Sequence, residues 1–335
     1  MALVLGATVC RVPVARAACT DQSPEPSNDL SLECLVNNRD NQPSPPPGSA
    51  IPTPEENANY RSLVSELAGV LALPMAGPAD TVGYSGFHFS FDSHLTSISQ
   101  GASYWSGPSA GVRRVTGPML PVLSIMLRKG VWMPIPPLPS VELGLGASNL
   151  AHSSLFALNG YFKLAIHEGY HDVWVPSIAL RAGVTRLVGA AQLDMTILTA
   201  DGVISKAFGA GGTVTLEPYL GGGAFFTIVR SQVIDVEPTV DLYRGPVGRM
   251  MPFDENARRD ALAQKIVFDN QSDIIRWRVF AGLHFHYAIL AMTVGFTYLG
   301  PGLASGGLSP ANALTNVQDL AGGQYQINLS GGVRF

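Results

Sequence analysis

The sequence predicts an all-β chain: a transmembrane antiparallel β-barrel of about ten strands, or twelve if a long one is split, behind a short N-terminal helix. Three observations predict it. Charged residues make up 14% of the 335 residues, against roughly 25% in soluble globular domains, while hydrophobic residues stay at an ordinary 46%. The missing charge is replaced by Gly, Ser, Thr, Asn and Gln, and not by the long aliphatic runs of a helical membrane protein. That exchange suits strands with one face in lipid and the other in a packed polar interior. Finally, segment after segment alternates apolar and polar with period two, and the last such segment runs to the final residue.

Residues 1–17 read as a signal peptide. Ala2 to Val9 are apolar, and Ala15-Arg16-Ala17 is a small-x-small cleavage pattern, although the usual positive charge at the start is missing. Residues 18–54 are polar and Pro-rich, with Pro43-Ser-Pro-Pro-Pro-Gly48, and predict a disordered tail that buries too little apolar area to offset its ordering entropy. None of the three cysteines has zinc or C-x-x-C spacing. Cys10 falls in the signal peptide. Cys19 either pairs with Cys34 in an oxidising compartment or becomes a lipidated N-terminus, for which Ala17 and Ala18 fit and Arg16 does not. Residues 55–80 hold a short helix from about Glu56 to Leu73, with Tyr60, Leu63, Leu67 and Val70 on one face. Pro74 and Gly77-Pro78 end it. A plug, a periplasmic cap and an interfacial helix all fit that pattern.

The barrel is expected over 81–335. Phe87, Phe89, Phe91 and Leu95 share one face, and His88, Ser90, Asp92, His94 and Thr96 the other. Val141, Leu143 and Leu145 oppose Glu142, Gly144 and Gly146. Phe156, Leu158, Phe162, Leu164 and Ile166 oppose Asn159, Tyr161, Lys163 and His167. Ile178, Leu180 and Val184 oppose Ser177, Arg181 and Thr185. Val214, Leu216, Leu220, Phe226 and Ile228 oppose Thr215, Glu217, Tyr219 and Thr227. Between Val279 and Gly300 there is no Asp, Glu, Lys or Arg, which mimics a membrane helix. The stretch nonetheless divides into two strands. In the first, Trp277, Val279, Leu283, Phe285 and Tyr287 oppose Arg276, Arg278, His284 and His286. In the second, Met292, Val294, Phe296 and Tyr298 oppose Ala291, Thr293, Gly295 and Thr297. The turn between them, near Ala288, lacks the usual Gly or Asn. Long connections fall at about Gln100–Gly117, Ser231–Gln271 (with a short helix expected near Asp254–Gln264) and Pro301–Gly322. The connections at the other end are shorter, as at Gly209-Ala-Gly-Gly212.

In the last segment Tyr325, Ile327, Leu329, Val333 and Phe335 alternate with Gln324, Gln326, Asn328, Ser330 and Arg334. These residues resemble the C-terminal recognition strand of Gram-negative outer-membrane β-barrel proteins, which alternates in this way and ends in Phe. The resemblance implies residence in the cell outer membrane, contact with its lipids and recognition of Tyr325, Ile327, Leu329, Val333 and Phe335 by the barrel-assembly machinery. It also implies that the tail and both barrel ends are periplasmic and the long connections external. No specific family within that class is indicated.

About ten strands enclose an interior that side chains can mostly fill. The lumenal polar candidates are His88, Asp92, His94, Glu142, Glu217, Arg276, Arg278, His284 and His286. Read as a hydrogen-bonded interior, Arg276 and Arg278 balance Asp92, Glu142 and Glu217, because buried charges need partners. Read as a reactive set, His88, His94, His284 and His286 with Asp92 would bind a transition metal or supply the acid–base groups of an outer-membrane hydrolase. The sequence has no G-x-S-x-G, H-E-x-x-H or P-loop, so no catalytic residue, metal or cofactor is assigned. Gly221-Gly-Gly223 fits close packing better than phosphate binding. A net charge of −4 gives no electrostatic case for nucleic acid. The expectation is a barrel with a filled or narrow lumen, acting as a restricted pore for small solutes or as a surface-exposed structural or binding protein. A hydrolase, and a lipid transporter plugged by the helix, are the alternatives.

Overall fold

The computed structural model describes residues 27–41, 52–73, 77–106, 110–132, 140–169, 174–210, 214–235, 265–303 and 318–335. Ten long strands form the barrel along the chain: β1 Phe87–Ser97, β2 Met119–Trp132, β3 Ser140–Leu150, β4 Phe156–His167 and β5 Ser177–Val188. They continue as β6 Leu193–Ser205, β7 Val214–Ser231, β8 Gln271–Tyr287, β9 Leu290–Leu299 and β10 Gln324–Arg334. Each pairs antiparallel with the next, β7 with β8 across the longest connection, and β10 pairs back onto β1. The sheet therefore closes on itself and has no free edge. The final residue locks the seam: Phe87 N donates to Phe335 O at 2.9 Å and Phe335 N to Phe87 O at 2.8 Å.

Period-two alternation puts one set of side chains outside. Phe91, Leu123, Leu145, Leu158, Leu220, Met292 and Leu329 are all exposed on the outer surface. Water does not tolerate an apolar belt of that extent, and hydrocarbon requires it. Only helices and closed barrels can cross lipid with every backbone group paired, and this chain takes the second route. Tyr325, Ile327 and Leu329 belong to the same outer face, and at one rim Tyr298 meets Trp277 edge-on and Tyr325 at a tilt, with ring centroids 5.4 and 5.2 Å apart. That is the aromatic girdle expected where lipid meets water.

Antiparallel pairing sorts the connections by end. The strand ends joined by the connections β1–β2, β7–β8 and β9–β10 lie at one end of the barrel, with the short turns 151–155 and 189–192. The strand ends joined by β2–β3, β4–β5 and β6–β7 lie at the other, with the turn Ala288-Ile289, Phe87 and Phe335. Ala288 itself takes the positive φ, 50°, that so tight a turn demands. The helix expected near 254–264 and the signal peptide lie outside the described residues.

The tail does not read as expected where it is described. Ser27–Leu30 pairs with Val112–Arg114, and Leu32–Asn41 forms a 3-10 helix. Leu32, Cys34, Leu35 and Val36 are buried, an apolar cluster that the surrounding prolines and polar residues obscured in the sequence. Cys34 is disulfide-bonded; Cys10 and Cys19 lie outside the described residues. The position of this segment is the larger finding. Asn28 N donates to His152 O, Leu32 N to the Gln192 side chain, and Ser31 N to Gly111 O. All three partners belong to the end with the long connections, opposite the end at which β1 begins. Helix α1, Pro54–Leu71, runs between the two ends inside the barrel.

Leu158 faces outward on β4 and is 57% exposed. Leu158→Arg is expected to cost about 2–4 kcal/mol when the barrel is unfolded from lipid vesicles, while His152→Arg, in an exposed turn, changes little. Equal stability of the two variants would show that the belt does not face hydrocarbon.

Candidate functional site

The interior of the barrel is the site, and α1 is its main occupant. The helix opens with a capping box: Glu56 N donates to Thr53 Oγ1 at 3.2 Å and Thr53 N to Glu56 Oε2 at 2.7 Å, with Pro54 in the first turn. Tyr60, Leu63, Leu67 and Val70 join one apolar cluster with the inward residues Val122, Met195, Ile197, Phe225 and Ile274. The opposite face carries Arg61, Ser62, Ser65 and Glu66, each 0% exposed. A helix buried equally on its polar and apolar faces is enclosed, not lying on a surface. Of the three roles open to the sequence, the plug is the one observed.

The two buried charges of the plug, Arg61 and Glu66, have partners on the wall or in the long connections. Asn57 and Asp269 exchange hydrogen bonds at 2.9 and 3.2 Å, and the Tyr60 ring stacks on Phe268 at 4.6 Å. Arg61 Nη1 donates to Gln271 Oε1 at 2.7 Å and pairs with Asp273. Glu66 accepts four hydrogen bonds: from Tyr104 OH at 2.9 Å, Gly322 N at 3.1 Å, Ser99 N at 2.9 Å and Trp105 Nε1 at 2.6 Å. Burial, and then the Glu66 charge, push the Tyr104 phenol above its ordinary range, so it stays a donor. Arg276 reaches Ser65 O at 3.2 Å, Gln324 Oε1 at 2.6 Å, Gly300 O at 2.8 Å and Gly322 O at 2.7 Å. Gly69 is where the helix backbone passes that Gln324: a Cβ there would sit 2.3 Å from Gln324 Oε1.

The C-terminal end of the helix meets the strongest cluster. Arg278 donates through Nη1 to Leu73 O at 2.9 Å and holds Asp201 in a fork, Nε to Oδ1 at 2.8 Å and Nη2 to Oδ2 at 2.6 Å. Arg181 Nη2 shares Asp201 Oδ2 at 2.9 Å. Gly223 leaves the room this needs, since a Cβ would fall 2.4 Å from Asp201 Oδ1. Beyond the cluster the chain leaves by the other end. Lys163 Nζ donates to Asp80 O at 2.7 Å, Val82 N to Glu142 Oε2 at 2.9 Å, and Arg334 Nη2 to Thr81 O at 3.0 Å. A cavity of about 40 Å³ remains there, lined among others by His88, Asp92, Arg128, Glu142, Lys163 and His284, enough for a water or two.

Of the residues singled out from the sequence, His88, Asp92, His94, Glu142, Glu217, Arg276, Arg278 and His284 are buried on the inner wall, and His286 is half-buried near the mouth. They are not one constellation. His94 spends Nε2 on Val70 O at 2.9 Å, and His284 Nδ1 lies 2.8 Å from Thr293 Oγ1. Both Asp92 oxygens lack a hydrogen-bond partner among the described residues, and the nearest cation, Arg128 Nη2, is 3.9 Å away. No Ser–His–carboxylate chain links these groups, and no cluster of His, Cys, Asp and Glu among the described residues could hold a metal. The expected charge balance is also corrected. Arg278 pairs with Asp201, and Arg276 binds oxygens of carbonyls and an amide. Glu142 pairs with Lys163 at 3.2 Å and accepts from Tyr161 OH at 2.6 Å, while Glu217 accepts from Ser205 Oγ. Strand register, which sequence parity does not set, decides which inward charges meet. Arg61, Glu66, Arg181 and Asp201 were the important omissions. Arg61 and Glu66, both on the face of the helix opposite its apolar stripe, were the available signal.

No protein-family model and no curated protein matches the sequence. Among solved structures, Neisserial surface protein A is similar at 12% identity and a TM-score of 0.27, over 75% of this chain and 96% of that one. Ail, the attachment invasion locus protein of Yersinia pestis, is similar at 10% and 0.26, over 75% and 99%. The translocator domain of the Neisseria meningitidis autotransporter NalP is similar at 10% and 0.33, over 85% and 100%. Likeness at this level adds nothing to the closed pairing described above. The fold is an outer-membrane type of β-barrel, with a helix inside it.

Asp201→Ala leaves two buried guanidinium groups without their carboxylate, so the barrel is expected to lose about 3–5 kcal/mol in denaturant unfolding. Asp194→Ala removes the exposed pair with Arg186, whose side chains are 32% and 50% accessible, and is expected to cost under about 1 kcal/mol. Similar losses in both would remove the Asp201 cluster from its central role.

Proposed function

We propose that this chain resides in the Gram-negative outer membrane as a barrel sealed by its own helix, and that it acts through the surface at its long-connection end. The observation that carries this reading is the burial of α1 on both its polar and its apolar face, with Arg61 and Glu66 each bonded to the wall or the long connections. A lumen occupied in that way has no room for solute, so a binding or structural role at the surface fits it better than conduction. The apolar belt supports a lipid setting, and the alternating strand ending in Phe335 supports delivery by the barrel-assembly machinery. A hydrolase reading finds no assembled acid–base set among the described residues.

A restricted pore keeps one observation in its favour. His88 Nε2, Ser90 Oγ, both Asp92 oxygens, Ser124 Oγ and Arg128 Nε face inward on β1 and β2 with no hydrogen-bond partner among the described residues. Buried polar atoms of that kind are ordinarily satisfied by water, which a hydrated seam beside the plug would supply. Planar-bilayer recording separates the two readings. The intact refolded protein is expected to give no discrete steps, and a variant lacking residues 27–73 to give them. Steps from the intact chain would establish the restricted pore and overturn the sealed barrel.

A further inference from the structure

The path of the chain through the barrel has a consequence for which side of the membrane each part occupies. Residues 27–36 are held at the long-connection end by hydrogen bonds to its turns. Asn28 Nδ2 donates to Ala151 O at 2.8 Å, Ser154 N donates to Asp29 Oδ1 at 2.7 Å, and Leu32 N donates to Gln192 Oε1 at 2.7 Å. Leu32, Leu35 and Val36 share the apolar cluster of the first turns of α1. Residues 79–87 are fixed as firmly at the opposite end. Ala79 N donates to Ser205 Oγ at 2.9 Å, Thr81 N to Glu168 Oε1 at 2.8 Å, and Phe87 pairs with the final residue. The ring of ten strands is closed, β10 on β1 and β7 on β8. A closed ring offers no lateral route, so the connection between the two ends passes through the lumen, and α1 is that connection.

We infer that residues 27–41 are displayed on the outer surface of the cell, having been carried through the barrel's own lumen, while the C-terminal strand ends on the periplasmic side. The inference rests on the reading that the long connections face outward. Its content is new: the N-terminal segment is an external cap built onto the loops, and not a periplasmic tail. The chemistry agrees with the geometry. A disulfide at Cys34 belongs to an oxidising exterior as readily as to the periplasm. The cap also buries its apolar residues against Tyr104, Trp105 and Val112 of the first long connection, within the same cluster. Through the segment 27–41, the surface offered to a partner is therefore made jointly by that cap and the loops.

Cysteine labelling on intact cells with a membrane-impermeant maleimide tests it, with the full-length chain and each variant first shown folded by its heat-modifiable mobility. Three positions are compared against the background of the unchanged chain: Ser27→Cys in the cap, His152→Cys in an exposed turn at the long-connection end, and Tyr84→Cys, 60% exposed at the other end. Leu30→Cys, half-buried and with no side-chain part in the anchoring bonds, repeats the cap measurement at a second position. Labelling of the cap variants at the level of His152→Cys, with Tyr84→Cys labelled only after permeabilisation, is the expected result. Cap variants protected until permeabilisation while His152→Cys labels on intact cells would overturn the display and leave the outward orientation standing. Protection of His152→Cys as well would overturn the orientation itself, and with it the proposed surface role.

Discussion

A closed barrel with a helix inside has no solvent with which to settle its buried charges, and the Arg278–Asp201–Arg181 cluster is where that constraint is met. Asp201 accepts from two guanidinium groups on two different strands, and one of those groups also holds Leu73 O at the end of α1. Remove the carboxylate and two cations are left facing each other in a dry interior. Remove the helix and Arg276 and Arg278 each lose an acceptor, while the inner faces of Val122, Met195, Ile197 and Phe225 lose their packing partners. Wall and plug thus specify one another.

The same constraint explains what could be read from the sequence. The outward face was legible because lipid demands apolar residues there and nothing else, so Phe87 to Phe91, Leu143 to Leu145 and Val279 to Tyr287 showed clean alternation. The inward face follows two rules. Near the long-connection end it packs on α1 and is apolar: Leu120 and Val122 on β2, and Leu193, Met195 and Ile197 on β6, are all buried. Toward the other end it is polar, with Arg128 and Asp201. Strands β2 and β6 therefore lose the simple period and escaped separate notice, although the total of about ten was right. Asp201 lies on β6, so the partner that Arg278 needed was hidden in the least legible strand.

The site was legible as a set of inward residues and illegible as a set of pairs. Parity tells which side of the sheet a residue occupies; register and the course of the plug decide whom it meets. Glu66 could be seen as a charge on an amphipathic helix, but its four donors come from two separate connections, Ser99 to Trp105 and Gly322, which no local pattern brings together. The ordered segment 27–41 was masked by the prolines that flank it and by its polar residues. Composition averaged over 18–54 diluted Leu32, Leu35 and Val36, the three residues that dock it.

The account stands on α1 being a fixed part of the folded barrel, and amide hydrogen exchange on the refolded protein in lipid measures that directly. Amides of Leu63 to Leu71 are expected to be protected as strongly as those of the barrel strands, because their opening requires the wall contacts and the Arg278 bond to break. Exchange of those amides many times faster than that of β8 and β10 would mean that the helix leaves the lumen readily. That result would contradict the sealed barrel and the fixed path of the chain through it.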